Sequence, residues 1–316
     1  MSKLRILYVS SEVDPFLNTS KIADFVRALP TAMQERGMEI RILVPRFGSI
    51  NERKNRLHEV VRLSGITIPM GEEEKPLTIK VASIPAAKLQ VYFIDNEDYY
   101  QRKYVLNDKE GAFYADNHER AIFFCKGALE TVVKLGWAPD IIHCNDWMSS
   151  LVPLYISTHY QNHPIYKDSK TIFSPHNSAF DFTFEADDLI EKVKIGDLDE
   201  AHLGSLAGGN YEAFIKIGAE YADKIVSLEN ADNSRIQSII DEHQHKTYDD
   251  SCECARINEI VNGIGGKSVI IIRFNPDTTK HKGKKLPLLL SDKIKLLVNT
   301  IKEELTKEDL SFFTHY

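Results

Sequence analysis

The sequence has no excess of basic charge: 39 Lys and Arg stand against 46 Asp and Glu, a net of −7. That excludes the general case for nucleic-acid binding, which needs a basic face. No run reaches the ~18–20 apolar residues that a membrane-spanning helix requires. The start, Met1-Ser2-Lys3-Leu4-Arg5-Ile6, enters a short apolar run at once. It lacks the charged region, longer apolar region and small-residue cleavage site of a secretory leader. Cysteine is scarce, four residues in 316, too few for a disulfide-stapled framework. Cys125 and Cys144 sit inside apolar runs and are expected as buried thiols. Repeats and low-complexity tracts are absent apart from a Lys-rich patch at 280–285. The expected compartment is the cytoplasm, and the length suggests two domains of about 150 residues or one large α/β domain with additions. Residues 241–316 hold 12 basic and 12 acidic groups, leaving 27 and 34, and so the whole net of −7, to residues 1–240.

What is present has the rhythm of an α/β protein. Arg5–Ser10 is a compact apolar run ending in turn residues, as a central parallel strand does. From Ser20 to Gly37, Ile22, Phe25, Val26, Leu29, Ala32 and Met33 recur at helical spacing. Glu39–Val44 is a second strand, stopped by Pro45. Val60–Leu63, Leu77–Ala82 and Leu89–Ile94 read as hairpin strands, an insertion or an antiparallel edge on the main sheet. The alternation then resumes. Helices are expected at Asn117–Leu135, Leu151–Tyr160 and Tyr211–Tyr221, and strands at Asp140–His143, Lys170–Phe173 and Lys224–Ser227. This spacing predicts a doubly wound, mainly parallel α/β sheet.

Ligands of open α/β sheets bind beyond the carboxyl ends of the strands. The first such loop, Ser10 to Ser20, is long for its place. It ends in Thr19-Ser20 at a helix start, which suits either an anion or a plain N-cap. The run His143-Cys144-Asn145-Asp146-Trp147-Met148 lies at a later strand tip, where it either lines a cleft or caps the next helix. Ser174-Pro175-His176-Asn177-Ser178 is a second imidazole-bearing tip facing the same crevice. Tyr114 to Arg120 opens a long helix, with Asp116 or Asn117 as N-cap and Glu119 and Arg120 as solvated first-turn charges.

These segments carry a resemblance. In the order ILYVSSEVDPF, NTSKIADFVRALP, YADNHERAIFF, PDIIHCNDW, SPHN and KIGAEYADKIVSL, the chain resembles the starch and glycogen synthases over about residues 3–230. Those are retaining glycosyltransferases that move glucose from ADP-glucose to the end of an α-1,4-glucan. The resemblance implies the Rossmann-like, acceptor-side N-terminal half of a glycosyltransferase-B enzyme, as in short bacterial members. It implies His143 and Asp116 as catalytic candidates. The implied substrate-binding positions are Asn18, Thr19, Ser20 and Asp24 in the first loop, and Tyr114, Asn117 and Arg120 at the long helix. Asp146, Trp147, His176 and Asn177 complete them at the strand tips. No metal or cofactor is implied, ADP-glucose entering as donor substrate.

The departures bear on activity. Where the family has Lys-x-Gly-Gly-Leu, this chain has Asn18-Thr19-Ser20-Lys21-Ile22. The phosphate-binding lysine is gone from its place, and side chains stand where glycines would let a pyrophosphate approach. Lys21 is either a displaced cation or a solvated helix lysine. Of the family's His-x-His-Asp-Trp-His, the chain keeps His143, Asp146 and Trp147 and has Asn145 and Met148 for the other two histidines. After Ser227 nothing resembles the family's second domain, which carries most of the nucleotide pocket. The expectation is a glucosyltransferase domain with little or no turnover alone, with a separate protein as possible supplier of that domain. The alternative is a non-catalytic glucan-binding or regulatory module of glycogen metabolism.

The expected domains are 1–232 and a small α/β extension of different origin, 233–316. Residues about 236–280 resemble uncharacterised restriction-endonuclease-like proteins. The shared pattern is a strand ending in Asp241-Glu242-His243-Gln244-His245, a helix with Cys252 and Arg256, and a strand through Ile272-Arg273-Phe274-Asn275-Pro276-Asp277. That resemblance implies Asp241, Glu242 and Glu253 as Mg²⁺ ligands and nuclease-like chemistry as a further alternative. His243, His245, Cys252 and Cys254 have zinc-binding types but one-residue spacings unlike a finger, and no metal is expected there. Lysines 280, 282, 284 and 285 with His281 read as a solvated loop, and Asp292–Leu305 as a helix.

Overall fold

Strands buried on both faces must be apolar throughout, and Arg5–Ser10 and Ile141–Asn145 are the clearest cases, with every residue from Ile6 to Ser10 and from Ile141 to Asn145 buried. The computed structural model describes residues 3–85, 87–176, 178–229, 234–243 and 268–273, with the backbone alone for 227–229, 234 and 268–273. The chain begins β1 (Arg5–Ser10), α1 (Lys21–Glu35), β2 (Glu39–Pro45), α2 (Glu52–Asn55), β3 (His58–Glu59), β4 (Ile66–Met70) and β5 (Glu73–Ile84). It continues β6 (Leu89–Asp95), α3 (Glu97–Tyr100), α4 (Asn117–Leu135), β7 (Ile141–Asn145), α5 (Leu151–Ser157) and β8 (Lys170–Ser174). Then come α6 (Ala186–Val193), α7 (Tyr211–Tyr221), β9 (Lys224–Glu229), α8 (Ser234–Glu242) and β10 (Ser268–Arg273).

One sheet results, ordered β10-β9-β8-β7-β1-β2-β6-β5-β3, with β4 beside β5. Every pairing from β10 to β6 is parallel. β5, β3 and β4 add antiparallel pairings at one edge. From β1 the chain steps one way to β2 and β6, and later the other way through β7, β8 and β9. The order therefore reverses between β1 and β7, the switch point where open α/β sheets bind ligands.

The expected alternation holds, with local differences. Val60–Leu63 lies in a turn, and the short strand there is His58–Glu59. Leu89–Asp95 pairs in parallel with β2, so it belongs to the main sheet. β4 is a further strand beside β5, and its Pro69 is tolerated because an edge position does not need the missing donor. Asp241 and Glu242, expected at the end of a strand, end helix α8. Ile236, Ile239 and Ile240 are buried there at helical spacing, which outweighs the β-branched run. The expected 232/233 boundary falls between β9 and α8, and β10 continues the sheet beyond it by pairing with β9.

Two contacts fix the helices. On α7, a Cβ at Gly218 would sit 2.8 Å from the Phe173 ring, so glycine is required for the helix to reach β8. On α4, the buried Lys126 ammonium donates to the carbonyls of Pro69, Lys192 and Lys194 at 2.6–2.8 Å, tying β4 and the end of α6 to the helix. Burial pulls its pKa down to about 7, while three carbonyl acceptors favour the charged form.

Candidate functional site

Three strands end level at the switch point: Ser10 is in register with Asn145, and Asn145 with Ser174. Just past them Asp146 adopts φ 66° and ψ 176°, a region that side chains other than glycine avoid. Its carboxylate holds it there. One oxygen accepts from the Ser11 N–H at 3.2 Å and from the Ser11 hydroxyl, and the other accepts from the Met148 N–H at 2.7 Å. Its own N–H donates to the Ser174 carbonyl at 3.0 Å. One buried residue, through its carboxylate and its backbone N–H, thus joins the tips of β1, β7 and β8. Burial pushes its pKa up to about 7, against the pull of the hydrogen bonds from Ser11 and Met148.

The two imidazoles are brought together as expected. His143 lies between the Tyr8 and Phe25 rings, with Nε2 2.8 Å from the Ser174 hydroxyl. His176 packs on the same Phe25, with Nε2 3.1 Å from Asn145 Oδ1. The Asn145 amide nitrogen donates to the His143 carbonyl, so its oxygen faces His176 and Nε2 of His176 carries the proton. Both histidines are pulled down to about 3, His176 by burial and His143 by burial with a smaller contribution from His176. At neutral pH both rings are uncharged, suited to hydrogen-bonding hydroxyls rather than to holding an anion. The Tyr211 hydroxyl fixes the second tip by donating to the His176 carbonyl at 2.7 Å. Asn177 lies outside the described residues.

Opposite, the loop after β1 is organised by a residue the sequence did not single out. Glu12, only 4% exposed, accepts from the Thr19 N–H at 2.7 Å, the Thr19 hydroxyl at 2.8 Å and the Ser20 hydroxyl. Ser20 in turn caps α1, its oxygen accepting from the Ile22 N–H at 3.1 Å. The cap is thus realised, and the anion at this helix start is the chain's own carboxylate. Exposed Asn18 points its amide at Asp14 and Asp24, 3.3 and 3.1 Å away.

The start of α4 forms a separate assembly. Asp116 is the N-cap position but makes no capping bond; the Arg102 guanidinium grips both of its oxygens. Burial alone would raise the Asp116 carboxyl, but the Arg102 hydrogen bonds and charge hold it below the usual carboxylate range. It is therefore an acceptor at neutral pH and no proton donor. Arg102 also stacks over Tyr114 at 4.8 Å. Arg120, expected as a solvated charge, is fully buried between the Phe47 and Tyr100 rings. It donates to the carbonyls of Tyr99 and Val105 and to Asn117, whose amide donates to the Leu106 carbonyl. Asn117 and Arg120 thus brace the 99–106 segment, and burial pulls the Arg120 pKa down to about 10.

Trp147 is buried against Phe180 and Phe214, and Phe113 stacks on Phe180 at 4.8 Å. Phe180, Phe182 and Phe184 alternate along an extended segment and all meet Phe113. Their spacing was the signal that could have revealed this clasp. His118, Glu119 and Asp188 offer ligand atoms within 4.8 Å of one another. Lys192 pairs with both carboxylates, at 3.0 and 2.5 Å, so an ammonium already supplies the countercharge. Asp241 and Glu242 are exposed at the end of α8, where Gln237 donates to Asp241 at 2.8 Å. Glu253, His245, Cys252, Cys254, the 280–285 patch and the 292–305 segment lie outside the described residues. Cys125 and Cys144 are free, buried thiols. Among the described residues no helix is long and apolar enough to cross a membrane.

Comparison with known proteins agrees with this architecture. Glycogen synthase of Chlorobium luteolum is 47% identical over 55% of this chain and 36% of its own length. That of Chlorobaculum parvum is 46% identical, with the same coverage. The chain thus spans about a third of the length of these relatives. Among solved structures, the catalytic domain of starch synthase IV from Arabidopsis thaliana, bound to ADP and acarbose, superposes with a TM-score of 0.63. It covers 88% of this chain and 53% of that one at 17% identity, a likeness of fold. The profile described as the starch synthase catalytic domain matches residues 5–244, and the chain belongs to that family.

Proposed function

We propose that this chain is the acceptor-side half of a glucosyltransferase of the starch and glycogen synthase type, holding α-1,4-glucan beside a site for ADP-glucose. The observation that supports this most is the joining of three strand tips at the switch point, with two neutral imidazoles and Asn145 turned toward one another. Neutral donors and acceptors in a crevice suit sugar hydroxyls, which carry no charge. In this reading His143 and His176 hydrogen-bond the sugar, and Asp116 acts as an anionic acceptor. Asp146, Asn117, Arg120 and Trp147 hold the walls. Asn18, Thr19, Ser20, Asp24 and Tyr114 line the rim, and Asn177 belongs to the second tip.

A retaining transfer also needs positive groups to offset the charge of the leaving diphosphate. Asn18 stands at the lysine position of the family motif, so the chain by itself is a poor catalyst. A second protein providing the other half of the cleft, a cytoplasmic setting and a different origin for residues 233–316 belong to the same proposal. The test is sedimentation of the purified chain with glycogen, run beside an assay of ADP release from ADP-glucose. Co-sedimentation with background ADP release is expected. A chain that stays in the supernatant sinks the reading, and glycogen-dependent ADP release by the chain alone overturns its inactivity.

A further inference from the structure

Away from the cleft, the antiparallel edge of the sheet has its charges sorted by sign. The run from Arg53 to Arg62 carries four cationic side chains, Arg53, Lys54, Arg56 and Arg62, against the single acid Glu59, in a chain whose net charge is −7. All four are exposed, on α2, just before β3 and in the turn after it. Among the described residues, none of the four makes a side-chain hydrogen bond or an ion pair. The acid that precedes them, Glu52, is taken by Arg46 and Lys80. Farther along the same edge, the β4–β5 turn and the start of β5 expose Glu72, Glu73 and Glu74. Glu73 pairs with Lys75 at 2.7 Å, while Glu72 and Glu74 have no ion pair among the described residues. β3 lies against Lys80 and Val81, and β4 against residues 73–77. At about 3.4 Å per residue, the basic and acidic poles stand about 24 Å apart along β5.

An edge with one basic and one acidic pole is complementary to itself. Isologous association needs that property: across a two-fold axis, residue i of one copy meets j of the other, and j meets i. A two-fold axis through this edge sets each basic pole on the other copy's acidic pole, twice in each pair of chains. We propose that the edge is a self-association surface whose partner is a second copy of this chain, with Arg53, Lys54, Arg56 and Arg62 set against Glu72 and Glu74. Strand addition does not compete with it. Pro69 has no N–H to offer, and the carbonyls of Pro69 and Ser64 accept from the Lys126 and Lys134 ammoniums at 2.7 and 2.8 Å. Association is therefore left to side chains. Val61, beside Arg62 and 79% exposed, gives the contact an apolar group. β3 is four strand spacings from β1 at the switch point, about 19 Å at about 4.8 Å each. The surface is thus separate from the cleft, and the pairing is independent of what the cleft binds.

The experiment is sedimentation velocity of the full chain in about 50 mM and about 500 mM NaCl, which changes the reach of surface charges several-fold. At a chain concentration of about 100 μM the wild type should be dimeric in the lower salt, and the higher salt should weaken dimerisation at least about tenfold. Arg53→Glu with Arg62→Glu makes both poles acidic, and Glu72→Lys with Glu74→Lys makes both basic. Each double variant alone should sediment as a monomer where the wild type is dimeric. An equimolar mixture of the two should recover the dimer, because the reversed poles are complementary again. A wild-type chain that stays monomeric in the lower salt overturns the proposal, as does a dimer indifferent to salt. A dimer that survives either reversal, a mixture that remains monomeric, or species that grow past the dimer overturn it too. All four substituted side chains are exposed and unpaired among the described residues, so both variants should fold, which far-ultraviolet circular dichroism checks. If either does not, the two salt conditions on the wild type decide the matter.

Discussion

At the loop after β1 the polar groups satisfy one another around carboxylates: Glu12 onto Thr19 and Ser20, Asn18 between two aspartates, Arg27 onto Asp14. At the tips of β7 and β8 they are rings and amides that stay neutral at physiological pH, His143, Asn145 and His176, with a strained aspartate next in the chain after Asn145. The first region can stand complete without a ligand. The second keeps backbone strain that only its surroundings maintain, which marks where a ligand or a partner matters. Under the proposed function, the neutral strand tips are the part of this pair that faces saccharide.

The largest effect should come from the residue that joins the two regions. Asp146→Ala leaves the Ser11 N–H, the Ser11 hydroxyl and the Met148 N–H without their buried acceptor. At about 1 kcal/mol or more for each orphaned donor, the loss is on the order of 3 kcal/mol by urea unfolding. Asp146→Asn keeps an acceptor oxygen and should lose less than half as much. Equal losses for the two would show that the carboxylate does not hold the tips together.

Next in size is pH. His143 and His176 have folded pKa values lowered to about 3, so their contribution is present above their unfolded value near 6.5 and is lost as pH falls. Asp146 is raised to about 7, so its contribution is present below its unfolded value near 3.8 and is lost as pH rises. Between pH 5 and 6 the unfolded chain binds roughly two protons at the histidines and the folded chain roughly one at Asp146. The net is about one proton, and these groups make stability rise with pH by on the order of 1 kcal/mol per unit. His176→Gln removes one histidine from that balance and should leave their slope near zero. An unchanged slope in chemical denaturation across that window would mean that the rings are not held neutral.

Much of this comparison could be read in the sequence, and the rest could not, for definable reasons. Asn117–Leu135 and Tyr211–Tyr221 begin and end where apolar periodicity places them, and Ser20 caps α1 as its type suggests. The pairing of His143 and His176 tips followed from strand order alone. Glu12 was missed because a carboxylate eight residues ahead of Ser20 folds back only in three dimensions. Asp146 was legible as polar, but no glycine marked its positive φ. Arg120 has the sequence context of a surface charge, and only the aromatic rings of Phe47 and Tyr100, far from it in sequence, bury it. α8 looked like a strand because paired isoleucines serve both structures, and packing on α7 decided between them.

The smallest effect separates the two roles of Ser20, which caps α1 and also donates to Glu12. Ser20→Ala removes both bonds, and loss of a serine cap costs about 1 kcal/mol. Ser20→Gly also loses both, but glycine at an N-cap costs only a few tenths of a kcal/mol relative to serine. If capping is all that Ser20 does, the two variants should differ by most of that 1 kcal/mol, with glycine near wild type. If the hydroxyl is needed to seat Glu12, the glycine variant should lose nearly as much as alanine, because a buried carboxylate then has one partner fewer. The loop satisfied around its own carboxylates predicts the second outcome. A glycine variant as stable as wild type would show that Glu12 is secured by Thr19 alone, and would reduce the contrast between loop and strand tips to a single residue.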